Sequence, residues 1–436
     1  MVDVAEVKIW GARVGAVSWN ESRRLALFEY DPKFLEKGLD LSPITMPLAD
    51  AVSGKRLYSF PELNSQTYMG LPGLLADSLP DRFGTALLDR WLAEQGRALG
   101  TVNPVERLCY TGTRGMGALE YHPPTREIAD KSQSIEIERL VQLASDVLAE
   151  RGDLHADMNH LDRNDILEII RVGTSAGGAR AKAVVAYNKR TGDIRSGQID
   201  DLDGYEYWMI KLDGVTDRQL GDPMGYGRIE YAYYLMARDC GIDMADCELK
   251  YEGERAHFMT KRFDRDSKGK LHLQSLCGLA HFDYNKARAY SYEQAFQVIR
   301  TLGLHYPASE EMFRRMCFNV IARNQDDHTK NISFLMDRDG RWLLSPAYDV
   351  TYAYNPTAEW TRAHQMTING KSDNGKSDDI SRADLTAVAS RMNIHKPGEI
   401  IDKIVDVVAR WDVYAGKAGV EQGKADAIKH THVLLG

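Results

Sequence analysis

The 436-residue sequence predicts an α+β fold, and three observations carry that expectation. Its opening stretch, from AEVKIWGARVGAVSW to RRLALFEY, alternates apolar and polar positions in short runs, the two-residue period of strands. From about residue 227 onward, apolar residues recur at helical spacing, as in GRIEYAYYLMARDCG and EEMFRRMCFNVIARN. Between them, GTSAGGARAKAVVAYN and YEYWMIKLDG read as a glycine-bearing loop followed by two strands. A chain of this length exceeds one ordinary core, so two or three domains are expected.

Taken in order, Gly11, Gly15 and Asn20 supply the turns of a small N-terminal antiparallel sheet. The stretch LPDRFGTALLDRWLAEQG is a helix with Leu79, Phe83, Leu87, Leu88 and Trp91 on one face and Gly96 as its stop. Two more helices follow in SIEIERLVQLASDVLAERG and NDILEIIRVG. The strands beyond the glycine loop meet at a turn around Thr191-Gly192. Residues 256–275 read as strand, connector and hairpin. In the long helix ending at Asn324, the stripe Met312, Phe313, Met316, Cys317, Val320 and Ile321 reads as core packing.

Composition narrows the function classes. No apolar run approaches the ~20 residues of a membrane span, and the start MVDVAEVKIW lacks a signal peptide's basic and apolar regions. A cytoplasmic protein without a membrane partner is the expectation. The five cysteines (Cys109, Cys240, Cys247, Cys277, Cys317) form no C-x-x-C pair, which argues against a zinc ribbon or disulfide framework. A net charge of −8 argues against stand-alone nucleic-acid binding and leaves room for DNA contact through a basic partner. The cluster KSDNGKSDD reads as a polar surface loop.

The most informative stretch is QDDHTKNISFLMDRDGRWLLSPAYDV, residues 325–350. A polar loop carries Asp326, His328, Lys330 and Asn331; two strands joined by a DRDG turn follow, and Asp349 leaves the second. Such a hairpin brings Asn331 and Asp349 close at one end, and an amide oxygen beside a carboxylate suits Mg²⁺. Protein kinases use the same D-x-x-x-x-N spacing for a catalytic Asp and a metal-binding Asn, followed by a second metal-binding Asp. Here Tyr348-Asp349-Val350 stands for D-F-G, and Asn324-Gln325 for the usual His-Arg. A solvated hairpin with capping Asp and Asn satisfies the fragment equally well, and an Asp-Asp-His cluster at His328 is also compatible with zinc or iron.

The loop Gly173–Lys182 can present successive N–H groups to an anion, or simply turn the chain. It lacks the Gly-Lys-Ser/Thr of a Walker A loop and opens into a strand. Lys211, ending the apolar run Tyr207–Ile210, is placed like the strand lysine that reaches the α/β-phosphates, or like a strand-end lysine snorkelling to water.

Together, GTSAGGARAKA, KRFDR, NQDDHTKNISFLM and SPAYD resemble the HipA-family kinases, toxin halves of bacterial toxin–antitoxin pairs. The resemblance implies a bilobal, distantly protein-kinase-like fold with a β-rich N-terminal subdomain (1–112), an α/β lobe with the glycine loop (113–260) and a helical C-terminal lobe (261–436). It implies an ATP- and Mg²⁺-dependent serine/threonine protein kinase with Asp326 as the catalytic carboxylate and Asn331 and Asp349 as metal ligands. Phosphates would meet Gly177, Gly178, Ala179, Arg180, Ala181, Lys182 and Lys211. Adenine would meet the backbone of Lys261, Arg262 and Phe263, with His328 and Tyr348 flanking the nucleotide. Ser175, with Thr174 beside it, falls at the family's self-phosphorylation site, whose modification switches the kinase off. Implied partners are a HipB-like DNA-binding antitoxin, DNA mainly through that antitoxin, a Ser/Thr-bearing protein substrate and a second copy of the chain. Asp327 adds a like charge beside Asp326 that favours a raised pKa in one of the pair. A non-catalytic corepressor and a small-molecule kinase are the alternatives.

Overall fold

A computed structural model describes residues 2–98, 101–124, 135–150, 180–197, 202–215, 224–374 and 379–435. The chain divides into two compact units. The first comprises Met1–Ser42, Met46–Gly227 and Asp246–Leu273; the second comprises Pro43–Thr45, Arg228–Ala245 and Gln274–Gly436.

In the first unit, strands β1 (Val4–Ile9), β2 (Ala12–Asn20), β3 (Leu25–Tyr30), β4 (Leu57–Tyr58) and β5 (Leu119–His122) form an antiparallel sheet in the order β4-β3-β2-β1-β5. Gly11, at φ +77°, turns β1 into β2. Gly15 does not turn the chain. It lies inside β2 opposite Tyr30, where a Cβ would come 2.1 Å from Glu29 O. Close approach of a neighbouring strand, and not a turn, is what requires glycine there.

A second antiparallel sheet holds β6 (Lys182–Tyr187), β7 (Ile194–Ser196), β8 (Glu206–Lys211), β9 (Cys247–Glu252) and β10 (Arg255–Lys261) in the order β7-β6-β8-β10-β9. The alternation of Cys247, Leu249 and Tyr251 before Gly253 was a strand signal the helical reading of this region passed over. Helix α1 (Arg82–Glu94) starts where Asp81 Oδ1 accepts from Gly84 N at 2.7 Å. Its predicted face packs Phe83, Leu87, Leu88 and Trp91 with Leu140 and Val141 of α2 (Ile137–Glu150) and with Val185, Trp208 and Ile210 of the sheet. Each such burial contributes about 1.5–3 kcal/mol. The helix expected in NDILEIIRVG lies outside the described residues.

The second unit gathers α3 (Tyr226–Cys240, from Arg228 on), α4 (Tyr292–Thr301), α5 (Tyr306–Ile321), α6 (Arg382–Met392) and α7 (Pro397–Val408) around one core. All six residues of the expected α5 stripe are fully buried in it. The helix ends at Ile321, not Asn324: Arg323 turns left-handed at φ +58°, and Asn324 N donates to Asn319 O at 3.0 Å. Strands β11 (Ser333–Met336) and β12 (Trp342–Leu344) form the predicted hairpin, with Phe334 opposite Leu344 and Gly340 at φ +80° in the turn. The five cysteines are free thiols, all buried. Among the described residues, no helix is long and apolar enough to cross a membrane.

One buried ion cluster bears on the stability of the first unit. The Asp264 carboxylate is fully buried and accepts from Arg262 Nε (2.9 Å) and Nη2 (2.6 Å), Arg265 Nη1 (2.8 Å) and Gly117 N (2.7 Å). Burial alone would raise its pKa, but Arg262, Arg265 and the Gly117 N–H more than offset this and hold it well below the usual range. Asp264→Asn would leave the buried Arg262 and the part-buried Arg265 guanidinium groups short of their counter-charge, and we expect a loss of about 3–5 kcal/mol in urea unfolding. Because the folded pKa lies below the unfolded one, the wild-type contribution is complete above about pH 4 and drains away as pH falls further. The variant should lack that acid-side slope.

Candidate functional site

The loop after α5 is built to aim two adjacent carboxylates in different directions. Asp327 points inward, its side chain 1% exposed. Its Oδ2 accepts from Tyr292 OH and His364 Nδ1, each at 2.9 Å, and its Oδ1 accepts from Gln365 N at 2.8 Å. Asp326 points outward, its side chain 40% exposed, with Oδ1 accepting from Trp360 Nε1 at 2.6 Å and lying 3.7 Å from His328 Nε2. Partial removal from water raises the Asp326 pKa, as do Asp349 and Asp327; His328 and the indole N–H pull it down. The expected effect of Asp327 is present but ranks behind burial.

Asn331 closes the same loop. It ends a short 3₁₀ turn (Thr329–Asn331), and its Nδ2 donates to Asp326 O at 2.9 Å. That bond orients the amide, fixing which end is nitrogen and directing Oδ1 elsewhere. Asn331 and Asp349 line one small cavity, together with His328, Tyr348 and Asn324. Asp349 sits at φ +55°, a left-handed conformation that L-residues seldom adopt and that tends to mark functional positions. The hydroxyl of Tyr348 donates to Lys330 O at 2.6 Å and is bonded to Ser333 Oγ, so its ring is tied to the hairpin. An amide oxygen and a carboxylate beside one cavity form a hard-oxygen donor pair, the type that suits Mg²⁺. Among the described residues, no group of three or more His, Cys, Asp or Glu side chains is arranged to hold a metal.

In the first unit, Lys182 of β6 and Lys211 of β8 stand directly opposite in register, so they share a face of the sheet. Two like charges so placed repel, and Lys182 meets a counter-charge: its Nζ lies 3.4 Å from Asp81 Oδ2, both side chains only 2% exposed. Lys211 Nζ lies 5.9 Å from the Phe258 ring centroid. Arg180 Cζ lies over the Tyr226 ring, 3.4 Å from its centroid, and Ala181 O accepts from Leu212 N. Of the segment expected to read adenine, Lys261 N donates to Asp246 O and Arg262 N to Tyr207 O. The Lys261 side chain pairs with Glu206 (2.6 Å), the Arg262 side chain is buried on Asp264, and Phe263 is half-buried. Gly177, Gly178, Ala179, Thr174 and Ser175 lie outside the described residues.

Sequence spacing did not find Asp81, Tyr292, Trp360, His364 or Gln365. Only the fold brings them to Lys182 or to residues 326–327. A lone tryptophan in the polar run NPTAEWTRAHQ was the one legible signal.

Comparison with known proteins places the chain. Residues 174–411 match the HipA-like C-terminal domain and residues 5–122 match the HipA N-terminal domain, so the chain belongs to the HipA family. Over its whole length it shares the fold of HipA from Shewanella oneidensis, solved with HipB and operator DNA: TM-score 0.64, 17% identity, covering 98% of this chain and 94% of that one. A putative kinase of Haemophilus influenzae is 30% identical over 134 residues, 28% of this chain and 39% of the relative. The putative kinase Y4dM of Sinorhizobium fredii is 26% identical over 159 residues, 33% of this chain and 36% of the relative. The chain thus matches little more than a third of the length of these curated relatives.

The three bonds on Asp327 yield a stability test. Asp327→Ala strands Tyr292 OH, His364 and Gln365 N in a buried site, and about 3 kcal/mol should be lost in chemical denaturation. Loss under about 0.5 kcal/mol, the range of ordinary surface substitutions, would refute the anchoring role.

Proposed function

We propose that the protein is an ATP- and Mg²⁺-dependent serine/threonine protein kinase of the HipA toxin type. The observation that carries this reading is the joining of three groups in one unit: Asp326 directed outward, Asn331 bonded to the Asp326 backbone, and Asn331 and Asp349 on one cavity. Asn331 Oδ1 and the Asp349 carboxylate would hold Mg²⁺, which when bound offsets charge on the nucleotide phosphates. Asp326 would orient the acceptor hydroxyl and accept its proton late in transfer. Phosphoryl transfer of this kind depends almost wholly on positioning and electrostatics, so one fixed carboxylate suffices as the proton acceptor.

On the first unit, Lys182, Lys211 and residues 177–181 are the proposed phosphate contacts, and Lys261–Phe263 the adenine contacts. Ser175 or Thr174 is the proposed self-phosphorylation site acting as off-switch. A HipB-like DNA-binding antitoxin is the proposed partner, since the Shewanella relative was solved with HipB and operator DNA. The chain's charge of −8 favours DNA contact through that partner. A protein bearing Ser or Thr is the proposed substrate.

Asp326→Gln should bind ATP within a few-fold of wild type and lose at least about 10³-fold in transfer of the γ-phosphoryl group. Chelating Mg²⁺ should abolish transfer in the wild type, and restoring the ion should recover it. Turnover in Asp326→Gln equal to wild type refutes the assignment. Phosphate appearing only on added sugars or aminoglycosides, never on protein, would favour a small-molecule kinase.

A further inference from the structure

Residues 354–365 contain no regular secondary structure, yet they are fastened to the loop that carries Asp326. Gln365 N donates to Asp327 Oδ1 at 2.8 Å, and the Gln365 side-chain amide donates to Gln325 O (3.3 Å), Ala363 O (2.9 Å) and Trp360 O. Gln365 O in turn accepts from Arg288 N at 2.7 Å, and Asn355 N donates to Thr361 O at 3.2 Å, closing the segment on itself. His364, fully buried, completes the attachment through Asp327. The product of this fastening is the placement of one indole: Trp360 Nε1 lies 2.6 Å from Asp326 Oδ1.

Three features say what that contact does. An indole N–H is a donor only, so it can hold a carboxylate but cannot take a proton from an acceptor. Among the described residues, the two polar side chains set against the carboxylate, Trp360 and His328, both lie on Oδ1. With the indole in place the Asp326 side chain remains 40% exposed, so the ring braces one edge of the carboxylate without covering it. A plug at the acceptor position would bury that carboxylate.

We propose that Trp360 is a positioning residue for phosphotransfer: its indole N–H fixes Oδ1 of Asp326, so that Oδ2 is presented to the acceptor hydroxyl. The proposal rests on the kinase reading above, and it explains why a long irregular segment is pinned beside the loop by buried polar groups. A carboxylate free to rotate would spend much of its time out of line with the attacking oxygen, and small misplacements of this kind are costly in rate.

The test uses the full chain, radiolabelled ATP and dephosphorylated casein as the acceptor probe. In W360F, kcat should fall about 10- to 100-fold while KM for ATP stays within about twofold. In a D326N background the same change should have no further effect, since the two residues act as one unit. An independent readout is the indole ¹H–¹⁵N resonance of Trp360, which should move upfield in D326A while the other indoles stay in place. Unchanged kcat in W360F, faster transfer in W360F, or parallel loss of ATP binding and turnover would each overturn the proposal, the second because it marks a plug and the third because it marks a merely structural residue. An indole resonance indifferent to D326A would do the same, and this measurement stands even if W360F does not fold. Wild-type turnover in D326N would instead sink the kinase reading, a pattern distinct from an active enzyme that ignores W360F.

Discussion

The buried carboxylate of Asp327 is the constraint on which the proposed catalytic loop depends. A charge withdrawn from water this completely is tolerated only when its lone pairs are filled, and Tyr292, His364 and the Gln365 amide fill them. Those three donors come from α4 and from the irregular stretch before Ser372, two places remote from the loop in sequence. Because residue 327 must face inward to reach them, residue 326 is turned outward. The direction of the outward carboxylate is therefore set by its neighbour, and the Asn331 amide bonded to the Asp326 carbonyl holds the rest of the turn.

Much of this arrangement was legible in the sequence because it is local. The hairpin Ser333–Leu344 follows from two short apolar runs around a DRDG turn, and the core stripe of α5 follows from helical spacing. The D-x-x-x-x-N spacing anticipated that Asp326 and Asn331 would share a loop, since only four residues separate them. What failed to show were groups that meet through the fold. Trp360 reaches Asp326 across 34 positions, Asp81 reaches Lys182 across about a hundred, and no periodicity encodes either meeting. Gly15 misled for a related reason: a glycine required by a neighbouring strand looks, in sequence, like a glycine required by a turn.

The first unit handles charge in a complementary way. Its sheet places two lysines side by side on one face, an arrangement that costs stability in an ordinary sheet. Asp81, capping α1, partly offsets that repulsion on the buried lysine, while Lys211 lies near an aromatic ring. The pair stands on the interior strands β6 and β8 of a well-packed sheet. The rigidity comes from the apolar packing beneath it, where Trp208 and Ile210 of the lysine-bearing strand meet Phe83 and Trp91.

Asp349 carries a further consequence through its left-handed backbone. Main-chain sterics there favour glycine, then asparagine and aspartate, and hold bulkier side chains such as Arg323 left-handed at greater cost. Of those favoured, glycine has no side-chain oxygen, and of the other two only aspartate brings a full negative charge. Chain handedness narrows the residues that suit this position, and under the proposed metal-binding role the need for a carboxylate narrows them again. Few residues would meet both conditions, and a genetic screen for drift at this codon would then sample a short alphabet.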